Sequence, residues 1–135
     1  MKFKEIVEKY RRKIAIDFDG TLSSVKKNPN MSMVKKVKEL IKNNNVVILT
    51  SRRETPISIK EITKFLTKHK IDIEEILFSN GSFKWNVMER ESIDELYDDD
   101  PEEIKAAKNA SMKANLIDVD KNIKDDFEDL YGISY

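Results

Sequence analysis

Asp17 and Asp19 stand two residues apart in "KIAIDFDGTL", Lys13 to Leu22, directly after an apolar run. Like charges this close repel, and at least one pKa rises unless a cation or hydrogen bonds intervene. A strand that ends in such a pair faces a solvated turn or holds a cation. The pattern recurs further along the chain. "VVILTS" ends in the hydroxyls of Thr50 and Ser51, and "IDELYDDD" ends with Asp98 and Asp99. A solvated loop explains any one of these but explains their convergence poorly.

The chemistry that fits is phosphoryl transfer. Phosphate monoesters react so slowly in water that enzymes supply up to ~10²¹-fold acceleration, largely by positioning and charge neutralisation. Mg²⁺ takes oxygen ligands, commonly one or two carboxylates with substrate phosphate and water, and Asp17 with Asp98 and Asp99 could provide them. A carboxylate can also attack phosphorus to form an aspartyl phosphate. Asp19, on the same side, could protonate the leaving alkoxide and then deprotonate water. Gly20 lets the backbone turn sharply beside the phosphate.

The elements that must carry these groups alternate. "IAIDF", "VVILTS", "EEILFSNG", "IDELYDDD" and "ANLIDV" read as five strands. Between them, Met33, Val37, Leu40 and Ile41 mark a helix from Ser32, the expected N-cap, to Asn43. Ile59, Ile62, Phe65 and Leu66 mark another that closes near His69. A short helix is expected from Phe83 to about Arg90, and one after Pro101. Gly81 suits a positive φ. Phe3, Ile6, Val7 and Tyr10 predict an amphipathic helix over 1–12, and an acidic tail covers 121–135. Alternation at this spacing predicts an α/β Rossmann-like three-layer sandwich with a mainly parallel five-stranded sheet. In such sheets the ligand site lies at the carboxyl ends of the strands.

Composition narrows the field. A chain of 135 residues suits a single domain. Charged residues form 37% of it, but 25 basic balance 25 acidic, so global charge indicates no nucleic acid or membrane. Locally, residues 1–13 are basic, and Asp94 to Glu103 holds seven acidic residues and no basic one. The absence of cysteine excludes disulfides and thiolate metal sites. With no apolar run long enough to span a membrane and no signal-peptide core, a soluble cytoplasmic protein is expected.

"DFDGTL" resembles the signature of the haloacid dehalogenase-like phosphatase superfamily, and the resemblance runs over roughly residues 13–120. Its later motifs match Thr50 in "VVILTSRRE", Lys84 in "SNGSFKW", and Asp98 with Asp99 in "ELYDDDP". The resemblance implies sheet order 5-4-1-2-3 and a role for each residue. Asp17 is the nucleophile and a Mg²⁺ ligand. Asp19 is the general acid/base and gives its backbone carbonyl to the metal. Thr50 binds a phosphate oxygen, Lys84 neutralises charge, and Asp98 and Asp99 complete the Mg²⁺ site. Gly20, Thr21, Ser51 and Arg52 are the candidate substrate-binding residues. Ser51 replaces Thr50 if the strand ends one residue later. Lys113 is a second candidate lysine, coupled to Asp118 and Asp120, and Asp100 leaves the acidic register open by one.

Other conspicuous residues have ordinary readings. His69 suits a helix end, Trp85 a core or pocket wall more than a stacking platform, and Arg52 and Arg53 a solvated pair or a phosphate clamp. Asp94, Glu95, Glu102 and Glu103 read as surface and helix N-terminal charge. Gly20 and the helix near Ser32, like Gly81 and Lys84, lie too close for a cap domain. Capless members of the superfamily act on macromolecular phosphates, or on small ones when a neighbouring subunit closes the site. "TSRRE" and "FLTKHKIDIEEILF" are similar to the 3′-phosphatase domains of polynucleotide kinases. A phosphomonoesterase on nucleotide or polynucleotide 3′-phosphate ends is therefore expected. The alternatives are an oligomeric phosphatase of sugars or metabolites, and a catalytically silent binding domain on the same fold.

Overall fold

Side chains of a strand alternate between its faces, and the strands here bury both. The computed structural model describes residues 11–24 and 28–117. Its strands are β1 (Lys13–Ile16), β2 (Asn45–Thr50), β3 (Ile76–Phe78), β4 (Glu95–Asp98) and β5 (Lys113–Leu116). They form one parallel sheet in the order β3-β2-β1-β4-β5, the expected order read from the other edge. The helices are α1 (Met31–Asn43), α2 (Pro56–Lys68), α3 (Trp85–Arg90) and α4 (Pro101–Asn109).

Two cores arise from the alternation. Ile14, Ile16, Val46, Ile48 and Tyr97 pack against Met33, Val34 and Val37 of α1 and Ile62 and Leu66 of α2. Ala15, Val47, Leu49 and Leu96 pack against Val87 and Met88 of α3 and Ile104 and Ala107 of α4. Full burial of each large aliphatic chain is worth roughly 1.5–3 kcal/mol, so both layers resist sliding over the sheet. A one-residue slip would exchange the two faces.

The boundaries differ from expectation in places. Asn30, not Ser32, caps α1: its side chain accepts from the Met33 N–H, and the Ser32 hydroxyl donates to Asn30 Oδ1 at 2.9 Å. Asn30 is 1% exposed, and its N–H donates to the Leu22 carbonyl, which anchors the helix entry to the first loop. The α3 helix begins at Trp85, two residues later than Phe83. His69 and Pro101 stand where predicted, as the C-cap of α2 and the first residue of α4. Gly81 has φ +83°. The helix expected over 1–12 falls mainly, and the acidic tail over 121–135 wholly, outside the described residues, as do Asp118 and Asp120.

Candidate active site

Parallel register fixes which strand ends meet. Ile16 pairs with Ile48 and with Tyr97, so Asp17 emerges beside the end of β4. The Asp17 N–H donates to the Tyr97 carbonyl at 2.9 Å, continuing the ladder one residue past β1. Asp17 and Asp98 come two residues after Ala15 and Leu96 and share their face, the α3–α4 side.

Lys84 joins them. Its Nζ donates to Asp17 Oδ1 and to Asp98 Oδ2, each at 2.6 Å, and its side chain is 2% exposed. Burial alone would depress the Lys84 pKa, but Asp17 and Asp98 outweigh it and hold it above the usual lysine value. Burial pushes Asp17 well above the usual carboxylate range; Lys84 pulls it down, and Asp98 adds to the rise. One ammonium between two buried carboxylates leaves a deficit of positive charge. Asp99 deepens it, since Asp17, Asp98 and Asp99 each offer an oxygen within 4.8 Å of the others. Burial, and then Asp98, raise the Asp99 pKa as well.

Neighbouring residues orient these groups. Thr21 is fully buried, and its hydroxyl lies 2.8 Å from Asp17 Oδ2 and 3.3 Å from Asp99 Oδ1. Gly20 has φ +84°, and a Cβ there would collide with the Asp99 carboxylate. Asp100 donates its N–H to Asp98 Oδ1 at 3.0 Å and caps α4 through its own carboxylate. Glu103 Oε1 and Oε2 each lie 3.3 Å from the Lys84 N–H at the start of α3. Burial raises the Glu103 pKa, while that N–H opposes the rise.

A cavity of about 800 Å³ opens over this cluster, with Asp17, Asp19, Ser51, Lys84, Asp98, Asp99, Asp100 and Glu103 in its wall. Thr50 does not line it. Thr50 is 1% exposed, and its hydroxyl accepts the Arg52 N–H at 3.2 Å. Asp19 is held from the other side. Arg52 Nε and Nη2 grip its two carboxylate oxygens at 2.8 and 2.9 Å, while Nη1 reaches Glu61 at 2.8 Å. The hydrogen bond to Asp19 leads the causes that raise the Arg52 pKa.

Three sequence readings need correction. Lys113 opens β5 at the opposite edge of the sheet and pairs with Glu95 at 3.4 Å, so it does not belong to the site. Glu95 and Glu103 are buried at 4% and 8% exposure, not surface charge, although Glu103 does stand in the first turn of α4 as expected. For Glu95 the sequence hides this, because its partners Arg12 and Asn115 lie on other segments. A signal for Glu103 does exist: it stands four residues before Ala107 and next to Ile104, on the apolar stripe of α4. Trp85 packs against the second core, whereas its neighbour Phe83 stands 49% exposed at the cavity mouth.

Residues 14–130 match the family model described as haloacid dehalogenase-like hydrolase. The chain belongs to this family. Comparison with curated proteins gives no match. Two structural relatives of this hydrolase come from structures entitled "Structure of the Pnkp1/Rnl/Hen1 RNA repair complex" and "Structure of Pnkp1/Rnl/Hen1 complex". The first aligns with TM-score 0.64 and 18% identity over 82% of this chain and 44% of its own. The second aligns with TM-score 0.62 and 18% identity over 81% and 47%. The hydrolase thus spans less than half of each of these two chains, and the likeness shows the shared fold.

Proposed function

We propose that this chain is a Mg²⁺-dependent phosphomonoesterase that works through an aspartyl phosphate on Asp17 and acts on the 3′-phosphate ends of nucleotides or polynucleotides. The observation that carries the reading is the Lys84 ammonium set 2.6 Å from both Asp17 and Asp98. Among the described residues the cavity wall carries six carboxylates, from Asp17, Asp19, Asp98, Asp99, Asp100 and Glu103, against one lysine. A phosphate dianion would not enter such a wall without a cation. An all-oxygen donor set suits Mg²⁺. The side chains of Asp17, Asp98 and Asp99 and the Asp19 backbone carbonyl would hold it, and it would neutralise charge on the transferring phosphoryl group.

The steps then fall to this chain's residues. An Asp17 carboxylate oxygen attacks phosphorus, a P–O(Asp17) bond forms, and the ester P–O bond breaks. Asp19 gives its proton to the departing alkoxide. Water then attacks phosphorus, Asp19 takes its proton, and inorganic phosphate leaves with Asp17 restored. Lys84 balances charge on Asp17 and the phosphoryl oxygens, and Thr21 keeps the Asp17 carboxylate aimed. Ser51 supplies a strand-end hydroxyl for a phosphate oxygen from the cavity wall, while buried Thr50 accepts the Arg52 N–H and fixes the turn behind it. The nucleic-acid reading draws support from the RNA repair structures that share the fold and from the "TSRRE" resemblance.

The decisive experiment measures phosphate release from an aryl phosphate with and without Mg²⁺, for the natural sequence and Asp17→Asn. Metal-dependent release that disappears in the variant is expected. Equal release from Asp17→Asn would overturn the mechanism.

A further inference from the structure

A second cavity, of about 630 Å³, lies across Asp19 from the first. Among the described residues the two linings share Asp19 alone, and the nucleophile Asp17 lines the first. We infer that this second groove is the leaving-group subsite and takes the terminal nucleotides of a single-stranded oligonucleotide; the inference rests on the phosphatase reading above.

The geometry of displacement gives the direction. Attacking and leaving oxygens lie roughly in line through phosphorus, so the leaving group departs from Asp17 toward the acid that protonates it. Asp19 borders both cavities, and beyond it lies only the second. The sheet enforces this division. Phe18 packs in the α1–α2 core, opposite the face that carries Asp17, and forms the groove floor.

The groove also has the composition that an oligonucleotide needs. Glu61, Lys64, Phe65 and Lys68 recur along α2 at the spacing of one helical face, and all four line it. Lys64 and Lys68 are exposed, and with Arg52 they outnumber the acidic Asp19 and Glu61. The acidic first cavity has the reverse balance. The ring of Phe65 meets Phe18 edge-on at 5.1 Å between centroids and lies 4.5 Å from His69. Burial, with Lys68 and Lys38, lowers the His69 pKa and favours an uncharged ring. Stacking faces beside cations are how single strands are bound without reading their sequence.

The probe is a short fluorescent single-stranded oligonucleotide with a free 3′-hydroxyl, the leaving group itself. Its affinity is measured by anisotropy over a salt series for the natural chain and for the exposed pair Lys64→Gln with Lys68→Gln. In parallel, kcat/KM for the 3′-phosphorylated oligonucleotide is divided by kcat/KM for an aryl phosphate. Binding should weaken roughly tenfold or more in the double variant, and the salt slope should fall by about 1.4, at ~0.7 for each phosphate that a lysine neutralises. The kinetic ratio should fall with it. Equal affinity and slope in the two proteins would overturn the subsite and move it toward Phe83. No binding by the natural chain would overturn it outright. Failure of the phosphatase reading shows separately, as absence of metal-dependent release from the aryl phosphate.

Discussion

Lys84→Met isolates the ammonium while nearly preserving the volume of the side chain. In the natural protein Nζ lies 2.6 Å from Asp17 and from Asp98, with side-chain exposures of 2%, 6% and 1% for Lys84, Asp17 and Asp98. Removing one partner from a buried ion pair costs about 3–5 kcal/mol, because a charge stays buried without compensation. At roughly 3 °C per kcal/mol for a domain of this size, the melting temperature should fall by about 10 °C or more without divalent cation. Added Mg²⁺ should recover part of the loss, since it replaces positive charge between the same carboxylates. The Lys84 pKa is raised above 10.5, so its contribution is complete below that pH and disappears as pH rises through the folded value. The gap between the two proteins should therefore hold through neutral pH and close only in strong alkali. Phosphate release should fall by about 10²–10³ or more, the cost of losing one preorganised donor. Circular dichroism melts with and without Mg²⁺ read the stability. A variant melting within about 2 °C of the natural protein in the absence of divalent cation would refute the buried ion triad.

The neighbouring carboxylates give two more expected outcomes. Glu103→Ala removes the acceptor that fixes the Lys84 backbone; kcat should fall about tenfold or more with little change in KM, and Glu103→Gln should restore most of it. If the alanine and glutamine variants behave alike, Glu103 does not position Lys84. For Glu95, burial favours the neutral acid, but Asn115, Lys113 and Arg12 outweigh it and hold the pKa below 4.5. Its stabilising effect is present above that pH and disappears as pH falls through the folded value. Glu95→Gln should cost about 1.5–3 kcal/mol at pH 7, and the gap in denaturant midpoint should narrow in acid. A gap that stays constant down to pH 3 would refute the assignment.

The strands and their terminal carboxylates are legible in the sequence because each depends on a few consecutive residues, whereas the order of the strands, a relation between distant segments, comes only from the family resemblance. "KIAI", "VVILT" and "ELYD" declare buried strands, and the polar residues at their carboxyl ends gather at one edge of a parallel sheet. Relations between segments are less legible. The seven acids from Asp94 to Glu103 look alike in sequence, yet Asp98 meets Lys84, Glu95 meets Arg12 and Asn115, and Glu103 meets the Lys84 backbone. Helical phase separates buried Glu103 from exposed Glu102, and that phase depends on where α4 starts. Ser32 reads as a cap because it precedes the apolar stripe. Asn30 caps instead because the helix starts at Met31, a position fixed by contacts with the first loop, the Asn30 N–H to the Leu22 carbonyl and the pairing of Ser23 with Pro29. Arg52 reads as a phosphate ligand, but nothing local shows that Asp19 already occupies it.

That occupation bears on the catalytic cycle. Both Asp19 oxygens lie in the grip of Arg52, which holds the carboxylate's orientation and charge against the proton it has to carry in the proposed mechanism. For Asp19 to deliver a proton, this grip must open, and a guanidinium left without a partner would oppose the opening. Glu61 removes that obstacle, because it already holds Nη1 at 2.8 Å and keeps Arg52 paired when Asp19 turns away. The released Nε and Nη2 then face the groove between Phe18 and Phe65, where an oligonucleotide would place its next phosphate. On the proposed mechanism, substrate entry and release of the acid would be one event: the anion that fills the groove would take the donors that hold Asp19. A small alkyl phosphate, whose alkoxide needs the same proton but which leaves the groove empty, should have a lower kcat than a 3′-phosphorylated oligonucleotide at saturation; equal kcat values would refute the coupling. If the proposed roles hold, the division between the two sheet faces, set by the consecutive residues Asp17 and Phe18, would couple leaving-group recognition to acid catalysis across a single side chain.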